Sequence, residues 1–98
     1  MPEVRTTEEF DAWIGSLRDA RAKARIAVRI RRMELGLFCG DVKPIGEGLS
    51  EVRIDYGPGY RIYFVRRGDV LVVVLAGGDK RSQGKDIRIA KQLASELE

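Results

Sequence analysis

LSEVRIDYGPGYRIYFVRRGDVLVVVLAGG, residues 49–78, is the stretch whose periodicity decides the fold. From Leu49 the pattern has period two: Val52, Ile54 and Tyr56 alternate with Glu51, Arg53 and Asp55, as in a strand with one apolar face. Gly57-Pro58-Gly59 then reverses the chain. Tyr60, Ile62 and Phe64 alternate with Arg61, Tyr63 and Val65, and Arg67-Gly68 supplies a two-residue hairpin loop. Val70 to Ala76 is apolar on both faces, so the third strand is expected to be central or deeply covered.

Outward from this meander the period changes. Glu3 to Arg5 can form a short first strand, and Thr6 with Glu9 makes a capping-box pattern that opens a helix. Phe10, Trp13, Ile14 and Leu17 follow at i, i+3, i+4 and i+7, one apolar stripe in which Trp13 reads as core. Ala22, Ile26, Ile30, Met33 and Leu37 make a second stripe, which Gly36 terminates. Between Phe38 and Gly48, Pro44 and three glycines predict a loop. Ile87, Ala90, Ala94 and Leu97 predict a C-terminal helix. The expected architecture is a single α+β domain over residues 1–98: an N-terminal helical hairpin and a C-terminal helix packed on a three- or four-stranded antiparallel sheet, one face of which stays open.

Composition excludes several chemistries. The chain has 98 residues, one cysteine (Cys39) and no histidine, so an internal disulfide, a His/Cys metal cluster and His-assisted nucleophilic catalysis are all excluded. No cofactor or metal is expected. The apolar run Val70–Ala76 is too short to span a bilayer, and the N-terminus carries acids where a secretory signal carries positive charge, so a cytoplasmic protein is expected. Net charge is only +3, but it is unevenly placed. Between Arg18 and Arg32 seven basic residues face one acid, Asp19, which is either a solvated helix face or a surface for a polyanion.

A hairpin pivoting on Pro58 pairs Arg53 with Tyr63 and Asp55 with Arg61 on one face, and Val52 with Phe64 and Ile54 with Ile62 on the other. A second pivot between Arg67 and Gly68 sets Tyr63 opposite Val72 and Arg61 opposite Val74. Lys80 emerges past the end of the third strand, near the Gly-Pro-Gly turn. Arg53, Arg61, Tyr63 and Lys80 are therefore expected to converge, with the cations on phosphate and the tyrosine stacking on a base or moving a proton. The same residues also admit a purely structural account, an Asp55–Arg61 ion pair beside an Arg53–Tyr63 cation–π contact.

At these residues the sequence resembles a known family. GDVKPIGEGLSEVRIDYGPGYRIYFVRRGDVLVVVLAGGDKRSQGKDI, residues 40–87, is similar to the phage-derived, HigB-like addiction-module killer proteins of the RelE/ParE superfamily. The similarity extends through EVRTTEEFDAWIGSLRD and RIAVRIRRMELG to IAKQLA, and its distinctive blocks are Gly40 to Pro44, Asp55 to Arg61 and Gly77 to Lys80. It implies a RelE/ParE-like fold and the toxin role in a type II toxin–antitoxin system. It also implies an antitoxin from the adjacent gene, in this branch usually a helix-turn-helix protein, and metal-independent endoribonuclease action on mRNA at the ribosome. By motif position it assigns the family's basic strand residue to Arg61, its partner on the preceding strand to Arg53 and the basic residue after the last strand to Lys80, with Tyr63 beside Arg61. Some RelE relatives also use an Arg and a Tyr near the C-terminus; here no tyrosine follows Tyr63. ParE-type relatives inhibit DNA gyrase instead, and an inert, antitoxin-binding regulatory protein is a third reading. RNA contacts are expected from Lys43, Arg25, Arg29 and Arg32, and antitoxin contacts from Ile87, Leu93 and Leu97. Lys80 or Tyr63 would take a proton if neighbouring arginines lower its pKa.

Overall fold

The computed structural model describes residues 1–38 and 40–97; Cys39, expected to have no disulfide partner, and Glu98 lie outside them. The elements run β1 (Glu3–Thr6), α1 (Glu8–Ser16), α2 (Ala20–Glu34), β2 (Val42–Gly46), β3 (Leu49–Ile54), β4 (Tyr60–Arg67), β5 (Leu71–Gly78), a single 3₁₀ turn (Lys80–Ser82) and α3 (Gln83–Ser95). The sheet has five strands in the order β1-β5-β4-β3-β2. The antiparallel meander is there as expected, flanked by two additions: β1, the short first strand that the sequence allowed, and β2, which takes the sheet past the three or four antiparallel strands expected. β1 pairs parallel to β5, which leaves β5 internal as its two apolar faces require.

The second addition, β2, overturns the expected loop. Pro44 pairs opposite Ser50, and the register shifts between Pro44 and Gly46. An edge strand tolerates proline because its outer N–H needs no partner. Glu47 and Gly48 both have positive φ, 58° and 80°, which closes the hairpin back to β3 with the right-handed twist that strands prefer.

The first two helices start at side-chain caps. α1 is capped by Thr7, whose hydroxyl accepts from the Phe10 N–H, one residue later than the Thr6 capping box anticipated. Asp19 caps α2 by accepting from the Arg21 and Ala22 N–H groups. That helix stops at Leu35 with Gly36 at φ 77°, as expected, so Leu37 falls beyond the apolar stripe and is exposed.

The sheet is covered on both faces. Phe10, Ile26 and Met33 of the first two helices pack on Val52, Ile54, Ile62, Phe64, Val72 and Val74, with Trp13 against the margin. On the opposite face Ile87, Ala90 and Leu93 of α3, with Leu97 just beyond it, lie against Leu49, Tyr63, Val65, Val73 and Leu75. The expected open face is therefore largely buried beneath α3. The physical reason lies in β5: Val73, Leu75 and Ala76 face that side and would be left in water.

Both hairpin registers differ from the expected ones. β3 and β4 pair Arg53 with Arg61, Glu51 with Tyr63, Val52 with Ile62 and Ile54 with Tyr60. The slip is an even two residues, so Ile54 stays inward and Arg53 outward. It arises because β3 stops at Ile54 rather than Tyr56. Tyr56 leaves the strand, donates its hydroxyl to Asp19 and receives the Arg25 guanidinium over its ring. In the second hairpin Arg67 pairs with Leu71, giving a three-residue loop, Gly68 to Val70. A bulge between Tyr63 and Phe64 sets Tyr63 opposite Ala76 and Arg61 opposite Gly78.

The bulge changes which face each later residue of β5 presents. Gly77 turns to the α1 face, where a Cβ would lie 2.3 Å from the Trp13 ring, and Gly78 turns to the α3 face, where a Cβ would lie 1.8 Å from an Asp86 oxygen. Gly77→Ala should therefore lower stability by about 1–3 kcal/mol through overpacking, on the order of 10 °C in Tm. Thermal melts followed by circular dichroism measure this, and adding Trp13→Leu should recover part of the loss because the two positions share one contact.

Candidate functional site

After Gly78 the chain must turn from strand into α3, and Asp79 directs the turn. Its side chain accepts from the N–H groups of Arg81 and Ser82, while the Ser82 hydroxyl accepts from the Asp79 N–H, a closed capping box. Lys80 is thereby held at the end of β5, its Cβ 3.7 Å from where a Cβ on Gly59 would lie. The Gly57-Pro58-Gly59 turn and the end of β5 thus meet, as expected from the sequence.

Between them lies a cavity of about 220 Å³ lined by Asp41, Arg53, Ile54, Asp55, Gly59, Tyr60, Arg61 and Lys80. Three of the four predicted catalytic residues, Arg53, Arg61 and Lys80, share it. Arg53 and Arg61 are direct cross-strand partners; the Arg61 charge is offset by Glu51, whereas Arg53 has no ion-pair partner among the described residues. Neither component of the structural account is present: Asp55 is not paired with Arg61, and Arg53 does not face Tyr63.

Tyr63 is the exception. It is fully buried under α3 and lines neither cavity at this end of the sheet, and its hydroxyl has no hydrogen-bond partner. Burial, reinforced by the Glu51 and Asp86 carboxylates, pushes its phenol well above the ordinary tyrosine range. A proton-accepting or base-stacking Tyr63 is thereby corrected: the shift is opposite to the one such a role requires. Tyr60, three residues earlier and half-buried at the cavity wall, is the aromatic residue that the slipped register places there. Alternation identifies Tyr60 with the inward face, so only the end of the strand, where the sheet gives way to the turn, reveals its second neighbour.

Arg61 is more buried than the solvated polar face of a hairpin would make it. It is 8% exposed; its Nε lies 3.6 Å from the more deeply buried Glu51 carboxylate, and its Nη1 donates to the Gly59 carbonyl at 3.2 Å. Truncating Arg61 therefore removes packed contacts as well as a charge. Asp86 is the other buried carboxylate on this side and accepts from the Ser82 hydroxyl.

A second cavity, about 360 Å³, adjoins the first across Asp41, Ile54 and Asp55, and Arg25, Arg29 and Arg32 of α2 line it together with Val28. These three predicted RNA contacts thus sit beside the catalytic set, and the two cavities share the carboxylates Asp41 and Asp55, of which the sequence pointed only to Asp55, as a partner for Arg61. Lys43 is exposed on the edge strand opposite Glu51 and lines neither cavity. Ile87, Leu93 and Leu97 pack inward on the sheet, with Leu93 and Leu97 bordering shallow grooves beside α3. Among the described residues no group of three or more His, Cys, Asp or Glu side chains is placed to hold a metal, and no helix is long and apolar enough to cross a membrane.

The fold is that of the RelE-like α+β class. A solved structure of a mutant form of the E. coli toxin RelE in the free state superposes with a TM-score of 0.64, covering 87% of this chain and 93% of that one at 13% identity. The chain belongs to the phage-derived Gp49-like family (DUF891), whose model matches residues 12–95. A protein of Haemophilus influenzae described as uncharacterized is 50% identical over 95 residues, 97% of this chain and 95% of that one.

Two stability outcomes follow from this geometry. Arg61→Ala strands the Glu51 carboxylate in the interior and should cost about 3–5 kcal/mol, whereas exposed Arg53→Ala and Lys80→Ala should stay within about 0.5 kcal/mol of wild type in urea unfolding. Tyr63→Phe removes an unpartnered hydroxyl and should be neutral or stabilising at pH 7. Because folding favours the protonated phenol, that contribution is present below about pH 10, where the unfolded tyrosine ionises, and is lost as pH rises further. Tyr63→Phe should flatten this alkaline loss in the same unfolding experiment.

Proposed function

We propose that this chain is the toxin of a type II toxin–antitoxin pair and that it cuts mRNA at the ribosome without a metal. The observation that carries the reading is the convergence of Arg53, Arg61 and Lys80 on one cavity, where Arg53 and Lys80 have no ion-pair partner among the described residues and so can take up an anion. Membership of a phage-derived family and the RelE-like fold support the same reading. The arginines of α2 continue the positive surface along a path for a flanking strand, since backbone contacts position nucleic acid without reading its sequence.

In the cutting step the RNA 2′-hydroxyl attacks the adjacent phosphorus, the bond to the 5′-oxygen breaks, and a 2′,3′-cyclic phosphate and a 5′-hydroxyl result. Arg53 and Arg61 stabilise the charge that grows on the phosphoryl oxygens. The Lys80 ammonium supplies a proton to the leaving oxygen, and the Asp41 or Asp55 carboxylate at the cavity rim accepts the one released by the 2′-hydroxyl. Tyr60 offers a face on which a base can stack. The partner is an antitoxin encoded by the adjacent gene, of helix-turn-helix type, which docks along the α3 grooves bordered by Leu93 and Leu97.

Primer extension on cellular mRNA after induction tests the activity. Discrete in-frame cuts are expected, and Arg53→Ala or Lys80→Ala should reduce them about 10²-fold with the fold intact. Growth arrest with a DNA-damage response and no cuts would replace this reading by gyrase inhibition. Co-expression with the neighbouring open reading frame should yield a stable complex; a chain that is harmless alone and co-purifies with nothing would remove the toxin role.

A further inference from the structure

Glu51 sits in the middle of β3 at 2% exposure, on the face covered by α3. A carboxylate there carries a desolvation penalty of several kcal/mol, and a well-packed apolar side chain at such a position usually gives equal or better stability. Its contacts are specific. The Gln83 side-chain amide, in the first turn of α3, donates to one carboxylate oxygen at 2.8 Å, and the other oxygen lies 3.6 Å from Arg61 Nε. On its far side the Arg61 guanidinium donates through Nη1 to the Gly59 carbonyl of the turn. Nε thus faces the Glu51 carboxylate at ion-pair distance without a hydrogen bond among the described residues, while Nη1 is tied to backbone, which leaves further donors for the cavity that Arg61 lines.

We propose that Glu51 is a positioning residue for Arg61, itself held by Gln83, so that the seating of α3 sets the aim of the guanidinium into the anion cavity; the catalytic consequence rests on the ribonuclease reading above. Arg53 and Lys80 are exposed and have no ion-pair partner among the described residues, so Arg61 is the one cation of the set that the fold preorganises. Fixing a donor before the substrate arrives removes reorganisation from the reaction itself, and a displacement of about 1 Å at such a group can cost on the order of 10²-fold in rate.

The test combines single-turnover cleavage of ribosome-bound mRNA, filter binding of a labelled single-stranded RNA, and ¹⁵N NMR of the arginine Nε–H signals in the full-length protein. Glu51→Gln should lower the cleavage rate constant about 10- to 100-fold while RNA binds as well as, or more tightly than, to wild type, because a negative charge has been removed from a basic surface. Gln83→Ala, a half-buried position whose loss leaves the 3₁₀ capping box intact, should act in the same direction with a smaller effect. In the wild type the shielded Arg61 Nε–H should exchange slowly enough to be seen at neutral pH, and it should weaken or vanish in both variants. Cleavage at the wild-type rate in Glu51→Gln, or parallel losses of binding, rate and Tm in both variants, overturns the positioning role. A wild-type protein that cuts no RNA overturns the ribonuclease reading instead. In that event the NMR signal still decides whether Glu51 holds Arg61: an unchanged signal in both variants removes the proposal.

Discussion

β5 carries apolar residues on both of its faces, and this constraint organises the remainder of the molecule. A strand of this kind must lie inside a sheet and beneath a layer on each side. β1 closes its outer edge, α1 and α2 cover Val72 and Val74, and α3 covers Val73, Leu75 and Ala76. The bulge at Leu75 then reverses the facing of the last two residues. Gly77 consequently admits Trp13 on one side and Gly78 admits Asp86 on the other, so two adjacent glycines let two layers approach one strand from opposite directions. The same strand end delivers Asp79 to its cap and Lys80 to the cavity.

Placing charge under α3 works against this apolar economy. Glu51, Arg61 and Asp86 are buried there beside a Tyr63 hydroxyl with no partner, on a sheet face that is otherwise aliphatic. Among the described residues only Gln83, Ser82 and the Gly59 carbonyl hydrogen-bond with these groups. Partly satisfied polar interiors weaken a fold, and stability alone gives no reason for them. Of these groups Arg61 alone also lines the cavity. The structural interior and the candidate site are therefore one network, and α3 serves as a lid on the apolar half of the sheet as well as the support of its polar end.

Periodicity alone determined the α+β class, the meander, the three helices, the inward facing of Ile54 and the internal place of β5, because side-chain alternation records which face is dry. The motif positions of Arg53, Arg61 and Lys80 were legible for the same local reason: they flank two turns that must meet. Strand pairing was not legible, since the Gly-Pro-Gly turn is compatible with more than one loop length and the choice was made by Tyr56 reaching Asp19 and Arg25 on a helix far away in sequence. Nor was β2, where proline argues for a loop until an edge position makes its missing N–H harmless. Tyr63 and Tyr60 exchanged places for a tertiary reason. α3 buries the first, and the end of the sheet brings the second to the cavity wall. The burial of Glu51 and Arg61 was likewise decided only when the helix docked, because alternation assigns a polar residue to a face without saying whether water remains there.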